Sequence, residues 1–460
     1  DLNKNKFCRG YGITQPGAFY RDFESKAAEE NLLMPSYPAS RDICTVGGMV
    51  ANNSGGEKTL KYGKTEDYVA ELEVILNDGQ RCTLKPIDEE KLQKKINQDD
   101  REGEIYQRMY NLVNDNYELL EEARPNVSKN SAGYYLWNVY DKEEGVFDLT
   151  QLFVGSQGTL GIIDKIKFRL VEPEPYSKLL VIFMKDMEDL AQIINKLLEH
   201  EPESLESYDD KTLKLVFRYF FDFVKLLGFK NLFKLLYSFL PEAKMVLRGG
   251  FPKLVMLAEF TGKNPAQVDQ KAKEAKKEIQ SYSNVNTHLA KSELEARKYW
   301  KIRRKAFDLI ANHLQGEESE PFIEDLIVPP QKLPDFLPRL YEILDEYEDT
   351  MNYAIGGHSG DGNMHIYSLM DPSDPEIKKV IEEVSEEVYG LVTEMGGSIT
   401  AEHNDGLVRS PFLEDMYGEE VYDLFEEVKN IFDPQNIFNP GKKVNADFDY
   451  SLEHFNDEVK

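Results

Sequence analysis

Gly357-His358-Ser359-Gly360-Asp361-Gly362-Asn363-Met364-His365 lies between two strand-like runs, Met351 to Ile355 and Met364 to Leu369. Three glycines make the connection compact, and two imidazoles flank it. A neutral imidazole is a good ligand for zinc or a similar divalent metal. The alternative is a polar hairpin with incidental histidines. Downstream, Pro375 fits the first turn of a helix that Gly396-Gly397 ends. Its apolar face is Ile377, Val380, Ile381, Val384, Val388, Leu391 and Met395, at helical spacing. A short strand, Gly397 to Ile399, then leads into Thr400-Ala401-Glu402-His403-Asn404-Asp405-Gly406. Glu402 offers a carboxylate to complete a His–His–carboxylate metal site at His358 and His365. His403 offers a general base near neutral pH. An acidic capping loop is the alternative here.

Upstream, a strand from Leu179 to Met184 precedes a helix from Met187 to His200. The pattern repeats as a strand from Leu254 to Phe260 and a charged helix from Pro265 to Tyr282. Strand-then-helix twice predicts an α+β sandwich. Val171-Glu172-Pro173-Glu174-Pro175 marks a domain boundary, because two prolines stop regular pairing. Before it, Tyr68 to Leu76 reads as a strand, Asn77-Asp78-Gly79 as a turn and Gln80 to Leu84 as the return strand. Asp88 to Glu122 reads as helical and mostly solvated. Two glycine-rich loops are expected. One is Val46 to Gly56, followed by Lys61-Tyr62-Gly63; the other is Gly155 to Ile163, bracketed by Leu152 to Val154 and Ile162 to Leu170. Glycine pairs let backbone approach a ligand and leave N–H groups for phosphate or a flavin edge. Neither loop is Gly-x-Gly-x-x-Gly or a Walker loop, which disfavours Rossmann and P-loop readings. Near the end, Glu419 to Ile431 reads as a helix stopped at Asp433-Pro434, and Ala446 to Lys460 as a solvated tail.

Acids outnumber bases 83 to 55 in 460 residues, a net charge of −28 that repels a nucleic-acid backbone. No apolar run approaches the roughly 20 residues of a spanning helix, and Asp1-Leu2-Asn3-Lys4 shows no signal-peptide core. Three scattered cysteines, Cys8, Cys44 and Cys82, form neither a disulfide framework nor an iron–sulfur ligand set. The expected setting is reducing and cytoplasmic. One segment departs from the acidic average: Lys211 to Lys234 holds six bases, one acid and many phenylalanines. It reads as helices packed into the second domain. The alternative is peripheral contact with an anionic inner-membrane surface near a quinone.

Five motifs in order carry a family resemblance: Thr45 to Gly63, Val154 to Ile163, the Gly-His-x-Gly-Asp-Gly-Asn-x-His run, the Glu402-His403 run and Asn439-Pro440-Gly441-Lys442. Together they resemble the FAD-dependent D-2-hydroxyacid dehydrogenases of the vanillyl-alcohol-oxidase type. The resemblance implies an α+β chain in three parts. Residues 1–173 would be a two-lobed FAD-binding domain lacking its first lobe. Residues 174–405 would be a substrate domain with a ferredoxin-like sheet, and 406–460 a C-terminal return to the flavin domain. It implies FAD lined by Pro38, Ser40, Thr45, Gly47, Gly48, Asn52, Gly55, Gly56, Gly63, Gly158, Gly161, Ile163 and Asn439. It implies a divalent metal on His358, His365 and Glu402, a substrate carboxylate on Arg303 of Trp300-Lys301-Ile302-Arg303, and His403 as base. The implied reaction oxidises a D-2-hydroxy acid (D-lactate, glycolate or D-2-hydroxyglutarate) and passes electrons to a quinone, cytochrome or iron–sulfur protein. The alternatives are a non-catalytic or split subunit of a glycolate-oxidase-like complex and an alkyl-dihydroxyacetonephosphate-synthase-like flavoenzyme. Relatives carry a longer segment ahead of the position matching Asp1. The expectation is therefore weak FAD binding by this chain alone, with an exposed apolar face near residues 43–51 that an N-terminal segment or partner chain covers.

Overall fold

A computed structural model describes residues 5–8, 10–218, 250–313, 318–319 and 321–454. The chain forms two units, one of residues 1–173 and 398–454, the other centred on residues 174–397.

In the first unit, alternating residues of Val69–Ile75 turn Leu72 and Val74 inward, and the strand pairs antiparallel with Arg81–Leu84 across the Asp78-Gly79 turn. Ile162–Arg169, Tyr11–Thr14 and Asn5–Cys8 complete a five-stranded sheet. The stretch from Asp88 to Glu122 is three helices, Glu89–Ile96, Arg101–Asp115 and Tyr117–Ala123. Asp88 and Asp100 cap the first two. Their buried face, Leu92, Ile105, Tyr106, Met109, Leu112 and Leu120, joins the core, so the segment is not mainly solvated as its charge suggests.

Three further expectations are corrected. Val46–Asn52 is a helix, not a loop, with Thr45 Oγ1 accepting from the Gly48 N–H. The apolar face expected to be bare at residues 43–51 is closed by the chain itself. Val46, Met49 and Val50 are buried in a cluster with Ala18, Tyr20, Phe23, Met34 and Tyr37, and of the large apolar side chains there only Ile43 is exposed, at 76%. In the stretch read as a tail, Phe448–Glu453 forms a helix capped by Asp447, and Ser451 Oγ donates to the Leu407 carbonyl.

The second unit begins with four strands, Tyr176–Met184, Ser204–Asp209, Leu254–Gly262 and Val285–Leu289. They lie in the spatial order fourth, first, third, second, with every neighbour antiparallel. That is the ferredoxin-like arrangement, with helices Leu190–Leu198 and Pro265–Ile279 as its crossovers. Asn264 caps the latter helix and Pro265 starts it. Met351–His358 adds to the edge strand Ser204–Asp209, and Asn363–Met370 adds beyond it. Helix Ile377–Glu394 buries the predicted apolar stripe through Leu391, while Met395 lies just past its end. No strand forms at Gly397–Ile399. The basic, phenylalanine-rich segment lies outside the described residues beyond Arg218. Among the described residues no helix is long and apolar enough to cross a membrane.

Candidate functional site

In the second unit, the hairpin register sets Gly356 opposite His365 and His358 opposite Asn363. His358 and His365 are therefore diagonal neighbours on one sheet face. Their rings lie 5.1 Å apart, and both residues are buried. Each offers a ring nitrogen within 4.8 Å of the other's. The connecting turn depends on Gly362. Its φ is +79°, and a Cβ there would lie 1.9 Å from the Val328 carbonyl oxygen.

Neighbours orient both rings. His358 Nδ1 is 2.5 Å from Glu206 Oε1, and His365 Nδ1 is 3.2 Å from the Glu324 carbonyl oxygen. A carboxylate and a carbonyl accept, so each Nδ1 carries a hydrogen, and in the neutral imidazole Nε2 is then the nitrogen with the lone pair. Two lone pairs presented from one face suit a divalent metal. Carboxylate oxygens of Glu324 and Asp325 lie within the same 4.8 Å of a His365 ring nitrogen. The residues present therefore fit such an ion.

Arg303, on helix Glu293–His313, is buried, at 7% exposed. Its Nε donates to Glu206 Oε2 at 3.2 Å, and it hydrogen-bonds Tyr367, two positions along the strand from His365. The histidine hairpin and the arginine thus share Glu206. No motif pointed to that residue. Its only signal was an acid inside a strand, Ser204–Asp209, that is buried throughout.

In the first unit, Glu402 is buried and bound by Lys129 at 2.5 Å, with the Lys129 side chain fully buried. His403 is exposed. Three buried lysines fasten this region. Lys64 Nζ donates to the carbonyls of Asn130 and Ala401. Lys443 Nζ donates to Ser131 O, Gly133 O and Asp405 Oδ2, at 3.0, 2.8 and 2.7 Å. Lys129 is the third. Burial pushes the Asp405 carboxyl up and the Lys443 ammonium down from their ordinary values, while each opposes the other's shift. These lysines carried no sequence signal, since their partners are distant in the chain.

The two glycine segments meet the Glu402 region. Asn52 Nδ2 donates to the Glu402 carbonyl, and Gly55 lies beside the Glu402 carboxylate. Asn404 Nδ2 donates to the Asn52 and Gly155 carbonyls, and Asn439 Nδ2 donates to Gln157 O. Several N–H groups expected to be free are engaged internally. Gly47 donates to Pro16 O, Gly48 to Thr45 Oγ1 and Gly56 to Thr59 Oγ1. A Cβ at Gly47 would meet Pro16 at 2.4 Å and one at Gly56 would meet Tyr37 O at 2.2 Å, so close approach of the chain itself demands these glycines. Gly63 packs on Asp67 and Gly161 on Ile75 O. Pro38 and Ser40 accept turn hydrogen bonds, and Ile163 is in a strand. Gly158 faces open space and Gly48 meets only its own cap, so these two leave room for a flat ligand to approach. The room at those two glycines is compatible with a bound flavin, whereas Gly47 and Gly56 serve the fold.

Residues 174–443 match the family of FAD linked oxidases, C-terminal domain, and residues 3–85 match the FAD binding domain family. D-2-hydroxyglutarate dehydrogenase of Pseudomonas putida is 30% identical over 402 residues, covering 86% of this chain and 38% of that protein. The glycolate oxidase subunit GlcD of Bacillus subtilis is 28% identical over 439 residues, covering 94% of this chain and 75% of that one. The chain thus spans about two fifths of the Pseudomonas relative's length. A solved alkyldihydroxyacetonephosphate synthase structure superposes with TM-score 0.61 at 13% identity, covering 96% of this chain and 66% of that one, a likeness of fold alone.

Proposed function

The chain belongs to the FAD-linked oxidases, and from that premise we propose that it takes part in oxidising a D-2-hydroxy acid to the 2-oxo acid. The observation that carries the reading is the oriented pair His358 and His365, joined to buried Arg303 through Glu206. When bound, FAD supplies the hydride acceptor and a divalent ion such as zinc supplies Lewis acidity at the substrate hydroxyl. Nε2 of His358 and of His365 would hold the ion. Arg303 would grip the substrate carboxylate, for which a planar guanidinium is suited. Burial excludes water from these three side chains and strengthens each charge interaction. For Glu402 and His403, in the other unit, the roles of metal ligand and proton acceptor rest on the sequence and are proposals. So are FAD contacts at Gly48, Asn52 and Gly158. An electron acceptor of quinone, cytochrome or iron–sulfur class completes the reaction.

The test is anaerobic mixing of the FAD-loaded protein with D-lactate, glycolate, D-2-hydroxyglutarate and their L-isomers where these exist. Bleaching of the flavin absorbance by at least one D-2-hydroxy acid or glycolate supports the reading. A flavin that none of them bleaches overturns it.

A further inference from the structure

We propose that Glu206 is a positioning residue whose one carboxylate orients both the metal-ligating His358 and the substrate-gripping Arg303, so that metal affinity and hydroxy-acid affinity are set together. The inference rests on the metal and substrate roles proposed above.

Strand register puts the residue there. Ser207 pairs with Gly357, so one step further along the antiparallel ladder Glu206 faces His358. The Glu206 side chain is 3% exposed. Oε1 meets His358 Nδ1 at 2.5 Å and Oε2 meets Arg303 Nε at 3.2 Å. A carboxylate accepts on both oxygens, and both partners donate. The negative charge favours the tautomer with the hydrogen on Nδ1 and makes Nε2 more basic. At His365 the main-chain carbonyl Glu324 O accepts from Nδ1 at 3.2 Å, and the Asp325 carboxylate stands farther off, 3.7 Å from the same nitrogen. On its other oxygen the Glu206 carboxylate fixes the direction of the Arg303 guanidinium.

Glu206→Gln breaks this double acceptance. A Gln side chain has one accepting oxygen and one donating nitrogen, so either His358 or Arg303 faces a donor. Glu206→Asp keeps the charge on a shorter stem. The experiment uses the full chain and two readouts: zinc affinity, by competition with a chromophoric chelator, and KM for the hydroxy acid that bleaches the flavin. Glu206→Gln is expected to bind zinc roughly 10–100-fold more weakly and to raise KM, and Glu206→Asp to fall between it and the parent on both. Glu203→Gln, just ahead of the same strand and hydrogen-bonded by Thr261, should leave both readouts unchanged. Parent-like zinc affinity in Glu206→Gln overturns the proposal and leaves the metal reading standing. A parent chain that binds no zinc overturns both. If Glu206→Gln does not fold, Glu206→Asp decides: weaker zinc binding supports the role, and parent-like binding overturns it.

Discussion

Replacing Lys443 with Met probes what holds the Glu402-bearing segment in place. Lys443 Nζ makes three hydrogen bonds, to Asp405 Oδ2, Ser131 O and Gly133 O, and neither charged side chain is exposed. The substitution strands the Asp405 carboxylate in the interior, and removing one partner of a buried pair costs about 3–5 kcal/mol. Two carbonyl oxygens also lose a donor, adding about 1 kcal/mol each at most. The expected loss is therefore on the order of 3–7 kcal/mol, a large part of the 5–15 kcal/mol typical of a domain. In Lys443→Met/Asp405→Asn the stranded charge is gone, and the Asn oxygen can still accept from the Gly133 N–H that Asp405 now serves. The double variant should recover about 1–3 kcal/mol relative to simple addition. Urea unfolding followed by circular dichroism and by Trp137, which packs on Tyr417 in this unit, measures the parent, Lys443→Met, Asp405→Asn and the double variant. A Lys443→Met loss below about 1 kcal/mol, or a double variant equal to the sum of the singles, would refute the reasoning.

Further outcomes are open to direct measurement. Burial pushes the Glu66 carboxyl up to about 7, whereas the unfolded chain releases that proton near 4.3. The folded state then holds the extra proton across that window. Stability should be highest below it and fall by up to about 4 kcal/mol as pH rises through it; Glu66→Gln should flatten the fall in urea titrations at several pH values. Gly362→Ala should cost on the order of 1–3 kcal/mol for its positive φ, more for the clash with Val328 O, and weaken zinc binding; a parent-like melting temperature and zinc affinity would oppose this. Arg303→Lys should raise KM for the hydroxy acid more than it lowers kcat, because a lysine cannot hold a carboxylate in a bidentate grip; unchanged KM in steady-state assays would argue against carboxylate binding there.

Regular elements with strong periodicity were legible in the sequence: the hairpin around Asp78-Gly79, the two strand–helix units of the second unit and the helix Ile377–Glu394. The histidine hairpin was legible because two strand-like runs bracket a glycine turn, which forces the rings to one face. What was not legible depends on contacts between distant residues. Val46–Asn52 reads as a loop because its glycine pair has poor helix propensity. In the fold Gly47 must pass Pro16 closely, and Thr45 caps the turn. The Asp88–Glu122 stretch shows one helical period, but Asp100 and Asn116 break it into three. Glu206 and the buried Lys64, Lys129 and Lys443 resemble ordinary surface charges in sequence. Only the tertiary fold brings them to Arg303 and His358, Ala401, Glu402 and Asp405.

Zinc-edge X-ray absorption on the zinc-loaded chain bears most directly on the oriented histidine pair as a metal centre. The expected first shell contains two imidazole nitrogens at about 2.0–2.1 Å, and one imidazole should vanish in His358→Gln and one in His365→Gln. A shell made only of oxygens, or one unchanged in both variants, would contradict it.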